Sequence, residues 1–167
     1  MMISPKMQEA INNQIKAELD SAYLYLSMSA YFAENNLPGF ARWMHVQSQE
    51  EVSHAMKFYH FLLERGAKVT LLALDQPPSD FSSPLDIFER TLKHEQKVTQ
   101  LINNLYELAL QEKDYPSQIM LQWFIEEQVE EESNAAHILE MIKMSESKSF
   151  ALLAIDQQMG KRKAEEE

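Results

Sequence analysis

Apolar positions recur every three or four residues over four long stretches of the chain, the period of a helix with one face turned inward. Ile11, Ile15, Ala22 and Tyr25 share a stripe in the first stretch, and Trp43, Phe58 and Phe61 in the second. Phe88, Leu92 and Ile102 mark the third, and Phe124, Ala135, Ile138 and Ile142 the fourth. Ser4-Pro5 opens the first run, with a side-chain cap followed by a residue whose fixed φ and missing N–H suit a first turn. Leu37-Pro38-Gly39 interrupts the pattern, and Gly66 is placed to cap the second run in the left-handed conformation. Ser83-Pro84 opens the third run and Pro116-Ser117 the fourth. The predicted helices are 5–36, 40–65, 84–112, 116–145 and a short fifth, 149–159, before a charged tail over 160–167, all in one domain spanning 1–167.

At 1.5 Å per residue the four main helices are rods on the order of 40 to 48 Å long, which pack side by side. Short links make antiparallel hairpins of the first and second rods and of the third and fourth. The stretch 67–83 is different, because about 17 extended residues reach up to roughly 56 Å, enough to run the length of a rod. The third helix then starts parallel to the second. The fold expected is all-α, an up-down-down-up four-helix bundle with a long crossover between the second and third helices. Val69, Leu71, Leu72, Ala73 and Leu74 make that crossover apolar. Either it packs on its own bundle or a two-fold partner covers it.

Polar residues then break each apolar stripe near its middle. Glu18 does so in the first helix, Gln47, Glu51 and His54 in the second, Glu95 and Thr99 in the third, and Gln128 and Glu131 in the fourth, with Glu127 and Glu130 flanking. A lone glutamate on a helix is ordinarily a solvated residue, and a single E-x-x-H is common by chance. The joint occurrence on all four helices is what demands an explanation. Burying one ionised carboxylate costs several kcal/mol, and like charges side by side add repulsion, so the arrangement is tenable only with a compensating cation. Oxygen-rich donors with one imidazole in a bundle core suit di-iron or di-manganese sites rather than zinc or copper. Tyr25 is either a core tyrosine or a redox-active neighbour of the metals. His45, His60, His94 and His137 have no comparable constellation and read as surface or packing residues.

Composition narrows the alternatives. With 167 residues, 45% hydrophobic, 25% charged and only three glycines, the chain is globular and helical. The absence of cysteine excludes disulfides, thiolate zinc sites, iron–sulfur clusters and cysteine nucleophiles together. A formal net charge of −11 argues against a nucleic-acid partner and for cations. No stretch reaches the roughly 18 uninterrupted apolar residues of a membrane span, and a cytoplasmic location is the expectation.

This pattern resembles the bacterial non-haem ferritins over essentially the whole chain, crossover and fifth helix included. The motifs that carry the resemblance are Glu18, the segment Glu50-Glu51-Val52-Ser53-His54, Glu95, and Gln128-Val129-Glu130-Glu131. The resemblance implies one iron held by Glu18, Glu51 and His54, and a second by Glu51, Glu95 and Glu131 with Gln128 beside them. It also implies a third iron site close by, at Glu50, Glu127, Glu130 and Glu131, and places Tyr25 and Trp123 near the centre. The activity implied is iron storage: Fe(II) is oxidised to Fe(III) by O2 or H2O2 and kept as a ferric mineral inside a shell of twenty-four subunits with octahedral symmetry.

Related families separate on their residues. Bacterioferritin requires a second E-x-x-H in the fourth helix and a haem-ligating methionine in the second, where this chain has Glu130, Glu131 and Val52, so no haem is expected. Rubrerythrin ordinarily carries a cysteine-ligated iron domain, and the starvation-type DNA-protecting ferritins place metal between subunits. A small soluble di-iron oxidase or peroxidase that stores no iron, and a non-catalytic helical interaction module, are the competing functional classes.

Overall fold

The structure, a computed structural model, describes residues 3–146 and 148–164. Ser147 and the last part of the predicted tail, 165–167, lie outside the described residues, as do the first two positions of the predicted domain. The described residues form five helices: α1 (Pro5–Glu34), α2 (Pro38–Glu64), α3 (Pro84–Gln111), α4 (Tyr115–Met144) and α5 (Ser149–Met159).

Local chemistry sets the ends. Ser4 accepts from Met7 N at 3.0 Å and Ser83 from Asp86 N at 3.0 Å, each followed by proline in the first turn. Gly66, at φ 67°, takes the left-handed conformation expected after α2. The helix boundaries shift from expectation in one instructive place. Pro38, read as part of a break, instead begins α2, since at the first helical position a missing N–H costs nothing. Leu37 offers no side-chain cap, so the fold supplies one from elsewhere: Phe40 N donates to Asp156 Oδ1 on α5 at 2.8 Å. α5 lies so close there that a Cβ on Gly39 would meet the Asp156 carbonyl oxygen at 1.7 Å, which is why position 39 carries glycine.

α1 packs along α2, α3 along α4, and α1 against α3, while α5 rests on the start of α2 and touches α4. Side-chain contacts give the directions. Ser4 at the start of α1 donates to Glu112 at the end of α3, and Met28 near the far end of α1 meets Thr91 early in α3. The order is therefore up, down, down, up. Between α2 and α3 the crossover climbs the outside of α1, pinned by polar residues. Asn12 binds both Lys68 O and Thr70 N, Asp20 accepts from Asp75 N at 2.9 Å, and Ser27 donates to Pro78 O at 2.7 Å. Its backbone is held against its own bundle, yet Leu71 remains 67% exposed, with Leu72 and Leu74 also exposed.

The interior divides into two apolar clusters. One, around Tyr25, Met28, Phe32, Phe40 and Phe88, fills the end next to α5. The other, around Met7, Ile11, Phe58, Leu62, Ile102 and Phe124, fills the opposite end. Stacked rings anchor both: Phe32 on Phe40 at 4.9 Å and Phe58 on Phe124 at 4.1 Å between centroids. Each fully buried phenylalanine contributes on the order of 2 to 3 kcal/mol of transfer free energy. The gap between the clusters is polar.

Candidate metal centre

Into that gap the helical period directs Glu18 from α1, Glu51 and His54 from α2, Glu95 from α3, and Gln128 and Glu131 from α4, all buried. Glu18, Glu51 and His54 each offer one ligand atom within 4.8 Å of the others, and His54, Glu127 and Glu131 form a second such set. His54 joins the two. Its Nδ1 stands 3.5 Å from Glu51 and 3.9 Å from Glu18, and its Nε2 stands 3.8 Å from Glu127. These separations exceed a hydrogen bond and suit donors that face a common centre rather than one another. Glu95 belongs to neither set; it accepts from Tyr25 O–H and, at 3.1 Å, from Gln128 Nε2.

Of the remaining predicted residues, Glu127 is half-buried, Glu50 is half-buried and ion-paired with Arg162, and Glu130 is exposed at the rim. Trp123 presents its edge relation to His54 at 5.4 Å between rings. His94 is a packing residue as expected, edge-on to Tyr25 and within 2.8 Å of Ser21 Oγ. Burial, helped by nearby Lys97, depresses its imidazole to about 4, so it stays neutral.

Two glutamines do work that periodicity alone did not assign. Gln14 Nε2 donates to Glu18 at 2.7 Å, and Gln47 Nε2 donates to Glu51 at 3.1 Å and to Glu131 at 2.9 Å. Both sit one turn ahead of a carboxylate on the same helix face, which was the available signal. A neutral amide fixes a carboxyl's direction without supplying a counter-charge, so the need for a cation is undiminished. Gln47 Oε1 is itself buried without a hydrogen-bond partner among the described residues, an unmatched acceptor amid acceptors.

The electrostatics follow from crowding. Burial pushes the Glu18 carboxyl well above its ordinary range, and Glu51 beside it adds to the effect. Burial does the same to Glu51, reinforced by Glu95 and Glu131. Glu131 rises to about 8 through burial and then Glu95. Glu95 rises less, since burial is opposed by the Tyr25 and Gln128 hydrogen bonds. Tyr25 is itself driven up by burial and by Glu95. Carboxyls in this condition hold protons that a divalent cation displaces, gaining in exchange a charge that satisfies several of them at once.

A bundle that collects carboxylates and one imidazole from four helices at mid-length defines a class of metal-binding four-helix proteins. Residues 8–145 match the ferritin-like domain family. The chain is 42% identical over 161 residues to a bacterial non-heme ferritin of Bacteroides fragilis, covering 96% of this chain and 100% of that protein. It is 38% identical over 167 residues to a bacterial non-heme ferritin of Staphylococcus aureus, covering 99% and 100%. Among solved structures it is similar to an open pore ferritin of Archaeoglobus fulgidus, with a TM-score of 0.95, 49% identity and coverage of 96% and 99%. The chain belongs to the ferritin family.

Proposed function

We propose that this protein is an iron-storage ferritin and that its mid-bundle centre is a ferroxidase. The observation that carries the reading is the buried Glu18–Glu51–His54 donor set, with Glu95, Gln128 and Glu131 buried beside it in the polar gap of the bundle. Fe(II) is the substrate. Glu18, Glu51 and His54 hold the first ion, and Glu51, Glu95 and Glu131 the second, with Gln128 orienting Glu95. Two ferrous ions side by side give two electrons to one O2, which takes two protons and leaves as H2O2, or to one H2O2, which takes two protons and leaves as two waters. Hard carboxylates favour Fe(III) over Fe(II) and so draw the reaction forward. The product passes to a ferric mineral.

The described chain acts as one ferritin-like domain within a hollow homo-oligomer of twenty-four subunits in the cytoplasm. Two exposed apolar features support assembly: Leu71, Leu72 and Leu74 on the crossover, and Phe150 and Leu153 on α5. No described helix is long and apolar enough to cross a membrane.

Size-exclusion light scattering before and after aerobic addition of a few hundred ferrous ions per particle tests this. With a chain of 19.4 kDa, a particle of about 470 kDa that keeps the iron soluble is expected. A monomer or dimer retaining about two ions per chain overturns storage and leaves a small di-iron oxidase.

A further inference from the structure

We propose that Arg162 is a built-in competitor for the acidic cleft beside the metal centre, so that a cation entering the cleft must displace its guanidinium from Glu50. The inference rests on the metal-centre reading above and concerns the regulation of that site. The cleft has a volume of about 490 Å³ and is lined by Glu50, Glu127, Glu130 and Glu131, the carboxylates to which the resemblance assigns a third iron. The tail brings Lys161, Arg162 and Lys163 into the same cleft. Three basic side chains therefore face four acidic ones.

Arg162 is seated rather than loosely attracted. Its guanidinium lies over the Trp43 ring, 4.3 Å from the centroid, and donates to Glu50 Oε2 and, at 3.5 Å, to the Trp43 carbonyl. The two charged side chains are only 19% and 15% exposed. Its own carbonyl accepts from Arg42 Nε at 3.0 Å. A planar guanidinium is the group suited to an aromatic face and a carboxylate together, whereas a lysine would supply only a point charge.

The anchorage of the tail is equally definite. It leaves α5 at Gly160, where a Cβ would stand 3.2 Å from Gly39 Cα, and the preceding Asp156 caps α2 through Phe40 N. The start of the tail is therefore registered against α2, the helix that carries Glu50, Glu51 and His54. From that point Arg162 reaches the rim of the centre, one residue before Glu51 in the chain. A cation arriving in the cleft obtains Glu50 as a ligand only after Arg162 lets go, and the arginine returns when the ion moves on. The affinity of the cleft is thereby lowered by the worth of the Arg162 seat, which favours transit over retention.

The test uses the assembled protein stripped of metal and titrated calorimetrically with Zn(II), a redox-inert probe. Wild type, Arg162→Gln, Arg162→Lys and the Glu50→Gln and Glu50→Gln/Arg162→Gln pair are compared. Arg162→Met, which keeps an apolar stem against Trp43, is carried as a second charge-removing variant in case the glutamine variant fails to assemble. Removing the charge should tighten a third ion per chain by about tenfold, the worth of one charge-assisted hydrogen bond. Arg162→Lys, which keeps the charge but loses the planar fit to Trp43 and Glu50, should fall between wild type and the charge-removing variants, and the gain should vanish when Glu50 is already glutamine. A third ion indifferent to the loss of Arg162, or a gain that survives Glu50→Gln, overturns the inference while two tight ions per chain keep the metal centre. Absence of those two ions in wild type overturns both.

Discussion

Replacing Glu131 with glutamine should stabilise the metal-stripped protein and weaken its response to metal. Glu131 is 5% exposed, and burial followed by repulsion from Glu95 raises its carboxyl to about 8. In the unfolded chain the same group titrates at its ordinary value of 4.5. A carboxyl raised by folding contributes stability that is complete below the unfolded value and is lost as pH climbs through the folded one. At pH 7 the unfolded chain has long gained by ionising while the folded carboxyl remains mostly protonated, a loss on the order of 3 kcal/mol. Glutamine ionises in neither state, and its carbonyl still accepts the Gln47 N–H that Glu131 accepts at 2.9 Å. For a domain of this size the gain corresponds to a rise in Tm of about 6 to 12 °C. Scanning calorimetry of chelator-treated protein from pH 4.5 to 8 is the assay. The gap between variant and wild type should open as pH rises, and saturating Zn(II) should reverse the order by stabilising the wild type more. A variant that melts at or below wild type at pH 7, or a gap that persists undiminished at pH 4.5, refutes the idea that Glu131 is held under electrostatic load.

Two further perturbations probe the same structure. Because burial and repulsion from Glu95 raise the Glu131 carboxyl to about 8, filling the centre with Zn(II) at pH 7 should release about one proton per chain; calorimetry in buffers of different ionisation enthalpy measures it, and no release would contradict the raised carboxyl. Gly39→Ala puts a methyl 1.7 Å from the Asp156 carbonyl oxygen, so α5 must move and the Phe40 N–H loses its cap. A stability loss of at least about 2 kcal/mol is expected, with weakened assembly by light scattering; an unchanged particle and Tm would mean that α5 is not registered by this contact.

Much of the site was visible in one dimension because a helix face is a periodic object. A carboxylate in the middle of an apolar stripe, as at Glu18 and Glu95, can point only inward, and the structure buries both. The reach of the crossover was legible from its length, but its path up α1, held by Asn12, Asp20 and Ser27, was not. What periodicity does not register is pairing across helices. Nothing in the spacing of Tyr25 and Glu95 showed that one donates to the other, and the second donor set depends on Glu127 reaching sideways from off its stripe to His54. Pro38 was misplaced for a different reason. Proline both breaks and begins helices, and the deciding cap, Asp156, lies more than a hundred residues away in the chain. The tail carries no period at all, so only the fold brings Arg162 to Glu50.

The division of the interior bears on how such a chain can alter its chemistry over generations. The stacks Phe32–Phe40 and Phe58–Phe124 hold the two ends of the bundle in separate apolar clusters, and of the donors between them His54 packs edge-on against Phe124 at 5.9 Å. A lineage can therefore exchange a glutamate for a histidine or an amide at mid-level, changing which metal is preferred or how long it stays, while the helices keep their register.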